Sequence, residues 1–278
     1  MRIKVILVVL AATLAAMAVN AAEIVNTGLP DGKMGALSQP SSASSIETEA
    51  ADDFILSSGA LITSGTFFGL IGATVPLSSI SDVDIEIYRV FPNDSDTVRT
   101  ITVPTRANSP SDVELDSRDA ADMNMSFAAT SLGQFAVLNS VATGIHPSPV
   151  QHTGGDGPAS GQEVQFDVTF TTPFVLLPGH YFFVPQVVVP GGFLWLSAPK
   201  PIVSPGTPFV GDLQAWIRNE DLAPDWLRIG SDIIGTPQAG PTFNESFSLD
   251  GVFVPEPSSV SLLVGGLLAL GWKLRRKK

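Results

Sequence analysis

The chain has no cysteine among its 278 residues. This excludes disulfides, thiolate metal sites and cysteine nucleophiles, so a domain of this composition must hold together by packing alone. Positive charge is scarce over most of the length. Of 15 basic residues, Arg2 and Lys4 sit at the start and Lys273, Arg275, Arg276, Lys277 and Lys278 at the end, leaving few in residues 22–253 against nearly all of the 27 acids. A stretch this acidic repels a phosphate backbone, which argues against nucleic acid as a partner and suits solubility, divalent cations or basic partners. Histidine is confined to His146, His152 and His180, at spacings that match no zinc site. Sustained helical periodicity is missing, and so is any fixed-period repeat, which disfavours propellers and solenoids.

What is present begins with two distinctive ends. Arg2 and Lys4 precede an apolar run from Val5 to Ala18, and small residues follow in Val19-Asn20-Ala21-Ala22. A basic start, an apolar centre and small residues at the cut are the layout of a secretory signal peptide. Residues 1–21 are therefore expected to be removed by signal peptidase after Ala21, with Ala22 as the neighbouring alternative. The run is short for an uncleaved membrane anchor.

At the other end Val254-Pro255-Glu256-Pro257 leads into an apolar run from Val260 to Trp272 and then Lys273-Leu274-Arg275-Arg276-Lys277-Lys278. The two prolines hold Glu256 in an extended, accessible segment. As a helix the run would be about 20 Å long at 1.5 Å per residue, against a hydrocarbon core of about 30 Å. It spans only if Ser258 and Ser259 are drawn in and the basic side chains reach outward to the interface. Positive charges after the run should stay cytoplasmic, so both ends predict one topology, with the domain outside and the basic tail inside.

This tail resembles the PEP-CTERM sorting signal. The resemblance covers residues 254–278 and implies recognition by exosortase, a membrane transpeptidase-like enzyme, with processing near Pro255-Glu256-Pro257. It also implies a Gram-negative host that makes extracellular polysaccharide. An ordinary membrane anchor shares the topology and differs only in that the tail is kept.

Residues 22–253 read as β-structure. Val83, Ile85 and Ile87 alternate with Asp82, Asp84 and Glu86, and Val164, Phe166, Val168 and Phe170 alternate with polar partners. Phe243, Phe247, Leu249 and Phe253 share one parity near the end. Period two with polar partners predicts one buried and one wet face, as in antiparallel sheets. Further strands are expected at Phe54–Leu56, Leu61–Leu70, Val98–Val103, Gln134–Val141, His180–Val189, Phe193–Ser197 and Leu213–Arg218, separated by Gly, Pro, Asn and Asp turns. Pro104–Ser126 is polar and acidic and reads as non-strand, with one short helix around Ser117–Met123. Ala142–Gln162 reads as a long glycine- and proline-rich loop. The prediction is an all-β chain: an antiparallel β-sandwich or jelly-roll-like domain over residues 22–253, between a signal peptide and a tail with a single membrane helix. Asp52-Asp53-Phe54 before a hydrophobic strand loosely resembles the opening of other PEP-CTERM proteins, which implies a β-sandwich and names no activity.

Candidate chemistry is sparse. Asn93-Asp94-Ser95-Asp96 is an oxygen-rich turn of the kind that supplies calcium ligands, and the acids from Asp112 to Asp122 form another such segment; neither follows the EF-hand pattern, and Asp94 and Asp96 are the weak calcium candidates. Gly157-Pro158-Ala159-Ser160-Gly161 misses the nucleophile elbow by one position. Asp82, Asp84 and Glu86 on one strand face read more simply as solubilising charges than as glycosidase acids. Trp195 reads as core. Trp216 and Trp226 lie beside Arg, Asn and Asp, and if exposed they would suit a pyranose ring. The expected function is an exported, non-enzymatic cell-surface or matrix protein, membrane-held before tail processing, with no catalytic residues and no cofactor beyond calcium. The alternatives are a polysaccharide-binding, lectin-like module, calcium-assisted or not, and a secreted hydrolase.

Overall fold

Stretches that alternate apolar and polar residues become strands because a pleated strand sends successive side chains to opposite faces and so buries one set while leaving the other polar. The computed structural model describes residues 21–42, 45–146, 152–199, 214–235 and 240–254. In chain order the strands are β1 (Ala22–Asn26), β2 (Met34–Leu37), β3 (Thr48–Leu56), β4 (Ala60–Ile71), β5 (Asp82–Val90), β6 (Pro110–Asp119), β7 (Met125–Val137), β8 (Asn139–Val141), β9 (Ala159–Leu176), β10 (Gly179–Val188), β11 (Leu194–Ala198), β12 (Trp216–Asn219), β13 (Leu227–Arg228), β14 (Asn244–Glu245) and β15 (Phe247–Phe253). A 3-10 turn covers Leu77–Ser79 and a π-helical turn covers Ile229–Ile234. Among the described residues no helix is long and apolar enough to cross a membrane. The expected signal peptide and the expected C-terminal membrane helix both fall outside the described residues.

Two sheets face each other as a β-sandwich. The first runs β1-β15-β4-β11-β2-β8, with β14 on β11, β9 on β4 and β7 on β9. The second runs β13-β12-β3-β10-β5-β6. Pairing is antiparallel in the long contacts β4–β9, β7–β9 and β10–β5, and parallel between β2 and β8.

The core is aromatic and joins both sheets. Phe183 of β10 stacks on Phe247 of β15 with ring centroids 4.9 Å apart, and Phe54 of β3 meets the same ring edge-on at 6.3 Å. Phe67 and Phe166 stack at 4.8 Å within the first sheet, and Phe193 packs edge-on against both. The alternating sets behave as expected: Val83, Ile85 and Ile87 are buried, as are Val164, Phe166, Val168 and Phe170. Each such side chain contributes about 1.5–3 kcal/mol of transfer free energy. Gly69 makes this packing feasible, since a Cβ there would stand 1.9 Å from the Phe193 ring.

Several local expectations are corrected. The stretch read as non-strand between Pro104 and Ser126 contains β6, which pairs with β5 at the edge of the second sheet; Ser117–Met123 is strand and turn, not helix. A polar, acidic edge strand looks like a loop in sequence because it has little to bury, and its charges discourage pairing with another chain. Val98–Val103 is irregular rather than a strand, with Val98 90% exposed. The long loop ends sooner than expected, because β9 begins at Ala159. Asp156 closes its neck by accepting the backbone N–H groups of Ala142 (2.6 Å) and Thr143 (2.9 Å).

The outer face of the second sheet is not wet. Ala51, Tyr88, Phe182, Val184, Trp216 and Trp226 form a separate apolar cluster on it. Trp226 lies just before β13, and the irregular segment after β5 is fastened to Asp225 beside it. This layer positions the polar groups described next.

Candidate functional site

Strand alternation brings Glu49 of β3, Glu86 and Tyr88 of β5 and Arg218 of β12 onto the outer face of the second sheet. All four are buried. Arg218 donates through Nε to Glu49 Oε2 and through a terminal nitrogen to Glu49 Oε1 at 2.9 Å, a bidentate pair. The same guanidinium donates to the Tyr88 hydroxyl at 2.8 Å and to the Asp112 carbonyl at 3.2 Å. It also lies 4.3 Å over the Trp226 ring and 5.1 Å over the Tyr88 ring.

The Tyr88 hydroxyl is within 2.7 Å of Glu49 and 2.9 Å of Glu86. One hydroxyl proton cannot serve two carboxylates at once. Glu86 is the one that takes up a proton: burial, then the charge of Glu49 and a hydrogen bond with it, hold its pKa well above the ordinary range. Burial works against the charge on Arg218, but Glu49, Tyr88 and Glu86 together outweigh it, so the guanidinium stays protonated more firmly than usual. The result is a Glu86 that favours its protonated form, set against the bidentate pair of Glu49 and Arg218. Next to them Asp84 titrates at about 7, first through burial and then through Asp119, Glu114 and Asp82. Asp84 and Asp119 sit directly opposite across β5 and β6, the arrangement that like charges resist.

A second ionic knot fastens the covering segment. Arg99 grips Asp225 with two bonds of 3.1 and 2.8 Å, and Thr102 adds its backbone N–H at 3.0 Å and its hydroxyl at 2.8 Å. Arg106 pairs with Asp112 and lies 4.3 Å over the Phe91 ring. Burial alone would raise the Asp225 pKa, but the bonds from Arg99 and Thr102 hold it below the usual range.

A third group lies inside the sandwich. Glu245 of β14 is fully buried, and neither carboxyl oxygen meets a hydrogen-bond partner among the described residues. Asp52 of β3 accepts the Glu245 backbone N–H at 2.8 Å. Burial, followed by the charges of Asp52 and Asp31, pushes the Glu245 pKa well up, so it stands in the core as a neutral acid.

The structure disposes of the expected sites as follows. Trp216 and Trp226 are 0% and 1% exposed, which corrects the reading of them as exposed sugar platforms. Their ring faces are spent on Tyr88, Arg218 and the apolar cluster, and the Trp226 indole donates to the Ser111 carbonyl at 3.1 Å. Trp195 is core, as expected. Asp94 pairs with Arg89 at 3.4 Å, and Asp96 accepts the Val98 N–H at 2.9 Å, so both serve the turn that holds them. Among the described residues no three His, Asp or Glu side chains gather so as to hold a metal ion. Asp82, Asp84 and Glu86 share one face of β5, but Glu86 is buried rather than wet.

His180 Nε2 lies 2.6 Å from Asp53, while His146 and His152 are exposed. Glu49, Arg218 and Glu245 were missed in the sequence. Glu245 shares the parity of Phe243, Phe247 and Leu249, and that placement on an apolar face was the available signal. Glu49 and Arg218 had none, because their pairing depends on β3 lying beside β12.

The described chain ends at the exit of β15. Val254, the first residue of the expected sorting motif, still donates its N–H to Gly59 at 2.7 Å, while Pro255, Glu256, Pro257, Trp272 and the basic end lie outside the described residues. No curated protein and no solved structure matches the chain. Residues 253–277 match the PEP-CTERM protein-sorting motif. The chain therefore carries a PEP-CTERM sorting tail directly after the last strand of its sandwich, and this tail implies an exported protein sorted to the envelope by exosortase.

Proposed function

We propose that this protein is a non-enzymatic component of the cell surface or extracellular matrix of a Gram-negative bacterium. In this reading a signal peptide exports the sandwich, the tail holds it at the membrane, and exosortase then processes the tail near Pro255-Glu256-Pro257. The observation that carries the reading is the sorting motif at residues 253–277. A structural role for the domain is supported by the way its buried charges are used. Glu49, Arg218 and Tyr88 bond to one another, and Arg218 also bonds to the Asp112 carbonyl of β6, so their polar atoms are used within the fold.

The test is expression in a host that has exosortase, with and without residues 254–278, followed by intact-mass measurement of the envelope and medium fractions. The full chain should lose mass at both ends and reach the envelope. The truncated chain should lose mass only at the N-terminal end and change location. Equal location and size for the two forms would refute the sorting role of the tail.

A further inference from the structure

We propose that the apolar tip of the sandwich beside the tail exit is a lipid-facing surface that rests on the bilayer interface while the tail is anchored. The inference builds on the membrane-held tail of the proposed function.

The tip is formed by the end of β15 and its neighbours. Val252, Leu61 and Val175 lie in one register across β15, β4 and β9, and Phe253, Ala60 and Leu176 lie in the next. Ala60 and Leu176 are buried on the core side. By alternation, Val252, Leu61 and Val175 point away from the core. Val254 continues that outward side, bonded to Gly59, whose own neighbours include Leu176 and Leu177. On that outward side Val175 is 68% exposed, Leu177 71% and Val254 45%. Exposed apolar side chains gathered this way mark an interaction or membrane surface rather than random scatter.

The tether selects the occupant. Only Pro255-Glu256-Pro257-Ser258-Ser259 separates the tip from the apolar run at Val260. Five residues span at most about 18 Å when fully extended. With the run in the bilayer, the tip therefore stays within that distance of the interface at all times. Charge agrees with this placement. In an acid-rich chain, the turn Ser57-Ser58-Gly59, the turn Leu177-Pro178 and the final residues of β15 carry no acid, and the first one met going back along β15 is Asp250.

The absence of cysteine makes the test direct, because a single introduced thiol can carry an environment-sensitive dye. Leu177→Cys, Leu138→Cys and Gly265→Cys would be labelled one at a time in the full chain. Each would be reconstituted in phosphatidylcholine vesicles containing spin-labelled lipid quenchers, headgroup-labelled for positions 177 and 138 and mid-chain-labelled for position 265. Leu138 is 75% exposed and lies beyond the Ile71 end of β4, opposite the tip. The expected result is strong quenching at 265, at least threefold more quenching at 177 than at 138, and little at 138. Quenching at 265 with equal values at 177 and 138 overturns the lipid-facing tip and leaves the anchored tail standing. No quenching at 265 removes the anchored tail and the proposal with it. A blue shift at 177 that depends on protein concentration and not on lipid overturns the proposal by assigning the surface to a second copy of the chain.

Discussion

Asp52 and Glu245, far apart in the chain, meet inside the sandwich, where the Asp52 carboxylate accepts the Glu245 backbone N–H at 2.8 Å. That bond docks β14, and hence the start of the final strand, against the second sheet. It also leaves two carboxyl groups in one apolar space, which only a protonated Glu245 tolerates. Glu245→Gln replaces the neutral acid with a neutral amide of the same shape. We expect the variant to be more stable than the parent at pH 8, because there folding forces the parent's acid to take up a proton that its unfolded chain has released, and the amide avoids this. The gain should shrink toward pH 5. Urea denaturation at the two pH values checks this, and a variant less stable at pH 8 would contradict the neutral-acid assignment.

Asp84 provides a second pH-dependent group. Its pKa is raised from 3.8 to about 7 by burial and by Asp119, Glu114 and Asp82. Between those values the folded chain keeps a proton that the unfolded chain has released, so stability falls as pH rises through that window. Asp84→Asn should remove part of the decline in melting temperature between pH 5 and pH 8. Asp225 has the opposite sign: its pKa is lowered, so the stability it contributes is present above the ordinary carboxylate range and is lost as pH falls through its folded value. The parent should therefore be most stable in mildly acidic solution.

Arg218 is the keystone of the outer-face cluster. Arg218→Met leaves Glu49 buried without its counter-charge, and removing one partner of a buried pair costs about 3–5 kcal/mol. Arg218→Lys should also lose stability, since an ammonium cannot make the bidentate bond or stack on Trp226. Chemical denaturation of both variants measures the loss. A double variant with Glu49→Gln should recover part of it.

The burial of Trp195, Trp216 and Trp226 has an optical consequence. In a full chain carrying Trp272→Phe, the remaining tryptophan emission should be blue-shifted and poorly quenched by acrylamide. Adding soluble polysaccharide should not change it. Ready quenching would restore the exposed-platform reading of Trp216 and Trp226.

The strands that could be read in advance are those with an apolar side and a polar side, such as β5, β9 and β15. Their two-residue period is imposed by burial of one face and is therefore written locally. β6 was hidden because an acidic edge strand has no such contrast. The outer face of the second sheet was hidden for a different reason: whether it meets water depends on what packs there, and the Trp226 ring against Tyr88 comes from a part of the chain remote in sequence. The same distance hid the cluster at Arg218. Trp216 and Trp226 were misplaced because polar neighbours in sequence were taken for an open surface, whereas Arg218 and Asp225 are themselves buried.

By itself the sequence determined the all-β character of the chain and the identity of its tail. Both rest on short-range patterns: alternation along a strand, and a proline-acid-proline segment followed by an apolar run and a basic end. Only the tertiary structure decided which charges are sealed in, which tryptophans are core, and that the tail leaves from an exposed apolar tip. Those outcomes depend on which strands become neighbours, and strand order is set by packing between residues that are distant along the chain.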